Sequence, residues 1–295
     1  MNNIKKILQE KRPNLATSSL RTYSSLLYNF VKKVFVDTDI NDNNILTLLK
    51  KETEILKYLG KNEIPKTLLS ALYVVTENPL YREMMMKQIE SYNKEMLKQE
   101  KNEKQKENWA DQDEIYKLLQ KHKKQANSLW NKKDKTPKDY QSIQDYILLL
   151  LYSGKYIPVR RAKDYGIDFK IKNIDKNSQN FLEKSKMVFH EYKTKNTYGK
   201  QTLHIPKPLL RLLNKWITIN PTDYLLFDSF FQPLNSVKIN QRLNKIFGKK
   251  VSVNALRHSY LSNKYQNTIQ TQRDLAQDMN DMGSSLSMSK VYIKE

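Results

Sequence analysis

Apolar residues recur at helical spacing over residues 17–34, where Leu20, Tyr23, Leu26, Leu27, Phe30, Val31 and Val34 share one face and Thr17 or Ser18 can cap the first turn. The same period predicts short helices at 55–59 and, after Pro65, through Leu68, Leu69, Leu72 and Val75. Asn78-Pro79 breaks the chain and opens a long helix. From 87 to 107 the pattern fades into alternating Lys, Glu and Gln, which suits a solvated helix or a linker and places a domain boundary near residue 105. Helical spacing resumes at 115–119 and at 140–151. The run Tyr146-Ile-Leu-Leu-Leu-Leu-Tyr152 is too short for a membrane span and reads as a buried helix.

The period then changes from helix to strand. Residues 167–171, 187–192 and 201–205 alternate, with Asn196-Thr-Tyr-Gly199 as a turn between the last two, so a small antiparallel sheet ending in a hairpin is expected. Helices return after Pro208 at 209–216, at 237–247 behind an Asn235/Ser236 cap, and at 252–265, 271–282 and 285–292. No internal repeat is evident. The fold class expected is mainly α with a small antiparallel sheet (α+β), divided into a helical domain over 1–105 and a larger domain over 106–295.

Composition turns this outline toward a partner. Among 295 residues, 52 Lys and Arg against 31 Asp and Glu give a net charge of +21, and the 39% hydrophobic content with 6 Gly and 9 Pro suits a packed helical protein. Such a basic chain fits a polyanion, of which nucleic acid is the commonest. With no cysteine, disulfides and thiolate metal sites are excluded, which fits a reducing compartment. The N-terminus lacks the apolar stretch of a secretory signal, so the expectation is an intracellular protein held at DNA, neither secreted nor in a membrane.

Candidate chemistry gathers in the second domain. Breaking a phosphodiester needs a nucleophile, cations against the non-bridging oxygens, and an acid for the leaving oxygen. Tyr292 is the candidate nucleophile; Arg257, with Arg161 or its alternate Arg160, supplies a two-pronged phosphate clamp; Lys193, or its alternate Lys195, supplies an ammonium able to give up a proton. Lys32, Lys33, Lys123, Lys124, Lys249 and Lys250 read as DNA phosphate contacts. His258 adjoins Arg257 and lies off its helix face, so it reads as structural or as a DNA contact. His122, His190 and His204 show no metal-ligand spacing, and Asp111, Asp113 and Glu114 read as the acidic first turn of a helix.

These residues resemble the tyrosine recombinases, or phage-type integrases, in a divergent viral or mobile-element form. Ile157-Pro-Val-Arg-Arg161-Ala-Lys-Asp164 is similar to the family's first arginine segment, with an acidic residue three positions on. Tyr192-Lys193-Thr-Lys195 before His204-Ile-Pro206 is similar to its lysine hairpin. Asn254-Ala-Leu-Arg257-His-Ser is similar to its His-x-x-Arg helix, and the stretch from Met282-Gly283 to Tyr292 is similar to its tyrosine segment. Two positions depart from the pattern: Asn254 stands where the family has histidine, an amide in place of a proton carrier. Gly283 stands where a second histidine or a tryptophan holds the scissile phosphate, a contact that is absent here or comes from Ser284 or Ser285.

The resemblance covers roughly 109–295 through motifs. It implies a helical core-binding domain and a recombinase-like catalytic domain closing on double-stranded DNA as a clamp, cleavage through a 3′-phosphotyrosyl intermediate, a homotetramer on DNA, and no metal or nucleotide cofactor. The alternatives are a topoisomerase IB-like enzyme, a DNA-binding descendant of such enzymes that has lost activity, and a basic architectural protein in which Arg161, Arg257 and Tyr292 do not converge.

Overall fold

The computed structural model describes residues 2–98 and 100–282. The chain forms two compact units, Met1–Glu100 and Lys101–Glu295. The boundary expected near residue 105 falls inside a short helix of the second unit.

The first unit is all helical, with α1 (Asn2–Lys11), α2 (Thr17–Val34), α3 (Ile45–Leu48), α4 (Glu52–Leu59), α5 (Lys66–Thr76) and α6 (Pro79–Leu97). Its core is the apolar stripe of α2, through Leu20, Leu27, Phe30 and Val31, packed on Leu68, Leu69, Leu72 and Val75 of α5 and on Ile4 and Leu8 of α1. The cap expected from Thr17 or Ser18 is not made: Ala16 is the N-cap of α2 and gives no side-chain bond. Asn78 does cap α6, accepting from the Leu80 amide directly before the Pro79 turn. Past Tyr81, α6 buries no further side chain, in keeping with its polar sequence.

The second unit opens with α7 (Glu103–Asn108), closed by a reciprocal capping box between Asn102 and Gln105. The antiparallel pair α8 (Gln112–Leu129) and α9 (Pro137–Tyr152) follows, then a 3-10 turn at Ala162–Tyr165. Four strands, β1 (Phe169–Lys170), β2 (Asn180–Glu183), β3 (Lys186–Phe189) and β4 (Gln201–His204), form one sheet in sequence order, with α10 (Lys195–Tyr198) inserted between β3 and β4. Helices α11 (Lys207–Ile219), α12 (Ser236–Phe247) and α13 (Val253–Asp281) complete the described chain.

Helix α9 is the axis of this unit. Every residue from Tyr146 to Tyr152 is buried, which a seven-residue apolar run on a central helix requires. Around it pack Ile115, Leu119 and Ala126 of α8, Leu209, Leu213 and Trp216 of α11, Ile239 and Leu243 of α12, and Leu256 of α13. Trp216 satisfies its indole by donating Nε1–H to the Leu225 carbonyl at 2.8 Å.

Three expectations are corrected here. The sheet is mixed, because β1 pairs with β2 in parallel while β2–β3 and β3–β4 are antiparallel. Strand β2, whose Asn180-Phe-Leu-Glu183 shows no clean alternation, supplies that parallel partner. The β3–β4 hairpin is present, but its strands end at Phe189 and begin again at Gln201, so a loop of residues 190–200 replaces a tight turn. Residues 252–265 and 271–282, expected as separate helices, are one continuous α13, since no Gly or Pro interrupts them.

Candidate phosphate-binding site

The segment after α9 sets the site. Ile157, Val159 and Ala162 are buried and pin the loop, while Arg160 and Arg161 between them are half-buried. Arg161 has extended backbone angles (φ −73, ψ 155), and in an extended stretch successive side chains point to opposite sides. The two arginines consequently have different surroundings.

Arg160 turns inward. Its Nε donates to Asp164 Oδ2 at 2.8 Å, and its two terminal nitrogens donate to Gln201 Oε1 at 3.0 and 3.1 Å. The guanidinium lies 3.8 Å above the Phe189 ring and 5.5 Å from the Tyr192 ring. Below it, Tyr152, Tyr165, Phe169 and Phe189 pack at 5.6 to 6.1 Å, edge to face except for the tilted Tyr165–Phe169 pair. Burial pushes the Asp164 carboxyl above its ordinary range against the pull of Arg160. Among the described residues Asp164 Oδ1 has no hydrogen-bond partner, and neither do the hydroxyls of Tyr152 and Tyr165.

Arg161 has no hydrogen-bond or ion-pair partner for its guanidinium among the described residues. The charge near it is Arg257, on the second turn of α13. Arg257 is half-buried, with Nε donating to the Val159 carbonyl at 3.3 Å. Desolvation lowers its proton affinity first and the Arg161 charge lowers it further, with Asp164 alone working the other way. Two guanidiniums therefore crowd one place whose single nearby carboxylate among the described residues is bonded to a third. Partly buried like charges of this kind call for an anion. Planar guanidiniums are suited to the oxygens of a phosphate.

The position of α13 depends on Gly154, just past the end of α9. Gly154 has φ +72, and a Cβ there would lie 2.3 Å from Cδ2 of Tyr260. A glycine is thus required both for the left-handed backbone and for the approach of the α13 turn that follows Arg257. On the next turn Ser259 is buried, donating to the Ala110 carbonyl at 2.5 Å, which fastens α13 to the segment leading into α8.

Asn254 lies one turn before Arg257. Its Oδ1 is 3.5 Å from Arg257 Nη1, and its Nδ2 is 3.4 Å from Nε2 of the exposed His258. Asn254 and His258 border a cleft of about 400 Å³ lined also by Asn108, Trp109 and Lys250. Lys193 is exposed in the 190–200 loop and has no partner among the described residues, whereas Lys195 forms an ion pair with Glu191. Lys249 is engaged internally, donating to Glu114 at 2.8 Å and to the Trp109 carbonyl at 2.7 Å, so Lys250 is the exposed member of that pair. Lys123 and Lys124 on α8 are exposed, as are Lys32 and Lys33 of the first unit, where Lys32 sits 4.8 Å over the Tyr28 ring.

Asp111 caps α8 by accepting from the Glu114 amide, as an acidic first turn should. Tyr292, Gly283, Ser284 and the helix expected at 285–292 lie outside the described residues. Gln201, Phe189 and Tyr192, which enclose Arg160, are site residues that sequence reasoning missed. An ordinary strand glutamine and two apolar positions carry no signal of that role.

No protein-family model matches the chain, and no curated protein does. A solved structure, the XerH site-specific recombinase bound to its difH substrate in a pre-cleavage complex, is similar over 99% of this chain and 91% of that chain, at 15% identity and a TM-score of 0.40. None of the helices described is long and apolar enough to cross a membrane.

Proposed function

We propose that this chain is a DNA breaking and rejoining enzyme of the tyrosine-recombinase type, acting on double-stranded DNA. The observation that carries the reading is the pair Arg161 and Arg257, two partly buried guanidiniums that no carboxylate among the described residues neutralises, since Asp164 is bonded to Arg160. In this reading a backbone phosphate occupies that place. Tyr292 attacks phosphorus, an O–P bond forms to its phenol oxygen, and the P–O5′ bond breaks. The phenol proton passes to solvent, and the Lys193 ammonium gives a proton to the departing 5′ oxygen and is recharged from solvent. The two arginines stabilise the extra negative charge while both oxygens are partly bonded. Reversal by the 5′ hydroxyl of a second duplex joins the strands, with four copies assembled on DNA and the 1–105 region contributing phosphate contacts.

A second reading, a DNA-binding descendant without strand cleavage, draws on Asn254. The amide reaches toward Arg257 and His258 and can transfer no proton.

Covalent trapping separates the two. Wild-type protein and Tyr292→Phe are incubated with nicked duplexes drawn from the DNA flanking the gene and from a random pool. A detergent-resistant protein-DNA adduct is expected for the wild type and none for the variant. Tight, salt-sensitive binding with no adduct from any duplex would favour the second reading.

A further inference from the structure

Arg160 joins two parts of the site that are distant in sequence. On one side it holds Asp164 in the turn that follows Arg161. On the other it meets Phe189, the last residue of β3, and Gln201, the first residue of β4. Those two residues are the posts between which the 190–200 loop hangs, and that loop carries Lys193. Tyr192 adds a third fixing: its ring lies against Arg160, and its hydroxyl donates to the Gly199 carbonyl at 2.6 Å, drawing the two ends of the loop together.

We propose that Arg160 is a positioning residue, fixing the Lys193 loop in register with the phosphate place beside Arg161 and Arg257, with Gln201 as its anchor on the hairpin. This rests on the reading given under Proposed function and adds the device that sets proton delivery to the leaving oxygen. The geometry demands a guanidinium: three N–H groups in one plane serve Asp164 and Gln201 while the face of that plane covers Phe189. A lysine ammonium has neither the fork nor the face. Because Arg160 acts through Lys193, its loss slows proton donation and leaves phosphate binding intact. A misplacement of about 1 Å at such a group is enough for a loss of about 10²-fold.

The test uses two leaving groups. In ordinary DNA the departing 5′ oxygen needs a proton. In DNA carrying a bridging 5′ sulfur at the scissile bond the thiolate leaves unaided, since thiols ionise near pH 8.5 and alcohols do not. Both duplexes take the sequence recovered from the trapped adduct, and the rate of adduct formation is followed for wild type, Lys193→Ala, Gln201→Leu, Gln201→Glu and Arg160→Gln. Gln201→Leu spares the Arg160–Asp164 pair and so keeps the test open if Arg160→Gln fails to fold.

Expected are a slowing of up to about 10²-fold for Gln201→Leu on ordinary DNA and recovery to near the wild-type rate on the sulfur duplex, matching Lys193→Ala. Gln201→Glu, which keeps the acceptor oxygen, stays near wild type on both. Gln201→Leu unimpaired on ordinary DNA, or equally slow on both duplexes, overturns the positioning role and leaves the proposed function standing. Wild-type protein that yields no adduct in the trapping experiment, so that no sequence is recovered, overturns the proposed function and this inference with it.

Discussion

Adjacent arginines with identical chemistry have opposite consequences for stability here. Arg160 neutralises a buried carboxylate, so Arg160→Ala leaves Asp164 charged and alone, and unfolding in denaturant is expected to show a loss of about 3–5 kcal/mol. Arg161 has no hydrogen-bond or ion-pair partner among the described residues and repels Arg257, so Arg161→Ala is expected to melt at the wild-type temperature or above it. Equal losses in the two variants would contradict the division of labour. The Arg-x-x-Asp spacing picked out Arg161, and the sequence carried that much. It did not carry the fact that Asp164 bonds to Arg160, because the pairing depends on a 3-10 turn and an extended residue that no periodicity announces. The distinction between Lys193 and Lys195 was hidden for the same reason: Glu191 reaches Lys195 through the short helix α10, which interrupts what reads as a hairpin.

At the scale of elements, the site is a meeting of one loop, one hairpin and one helix, and Gly154 sets the helix. Gly154→Ala combines a left-handed backbone with a methyl group inside the space of Tyr260. The expected loss is about 1–3 kcal/mol in thermal or chemical unfolding, together with a slower adduct as the Arg257 turn is displaced. A variant within about 0.5 kcal/mol of wild type would show that α13 does not depend on that close approach. The helix through Leu20 to Val31 was legible because one apolar face accounts for it, and the one through Tyr146 to Tyr152 because it is apolar all round, as a central helix is. Strand β2 was not, since half its residues face the interior without alternating, and its place is decided by a parallel partner eleven residues upstream. The join of the helices expected at 252–265 and 271–282 was missed because residues 266–270 are polar apart from Ile269. A helix past the edge of its core needs no apolar face, so the pattern lapses there while the hydrogen bonds continue.

For the whole molecule, a charge of +21 suits the DNA partner proposed but assigns the contact to no place. Most of the lysines expected to touch phosphate are exposed side chains, which in the proposed reading would give affinity without choosing a bond to cut, while Lys249 is half-buried and paired with Glu114. The arginine pair differs in kind, being partly buried and electrostatically unfavourable unless an anion is present. That difference makes binding and cleavage separable. The most direct measurement compares wild type with Arg161→Ala/Arg257→Ala for two quantities on the same duplex: DNA affinity across a salt series, and the rate of covalent adduct formation. The account predicts that binding survives, with the slope of log affinity against log salt shallower by about one to two, while adduct formation falls by at least about 10²-fold. Adduct formation unchanged in the double variant would contradict it, because the phosphate that reacts would then lie somewhere other than between these two arginines.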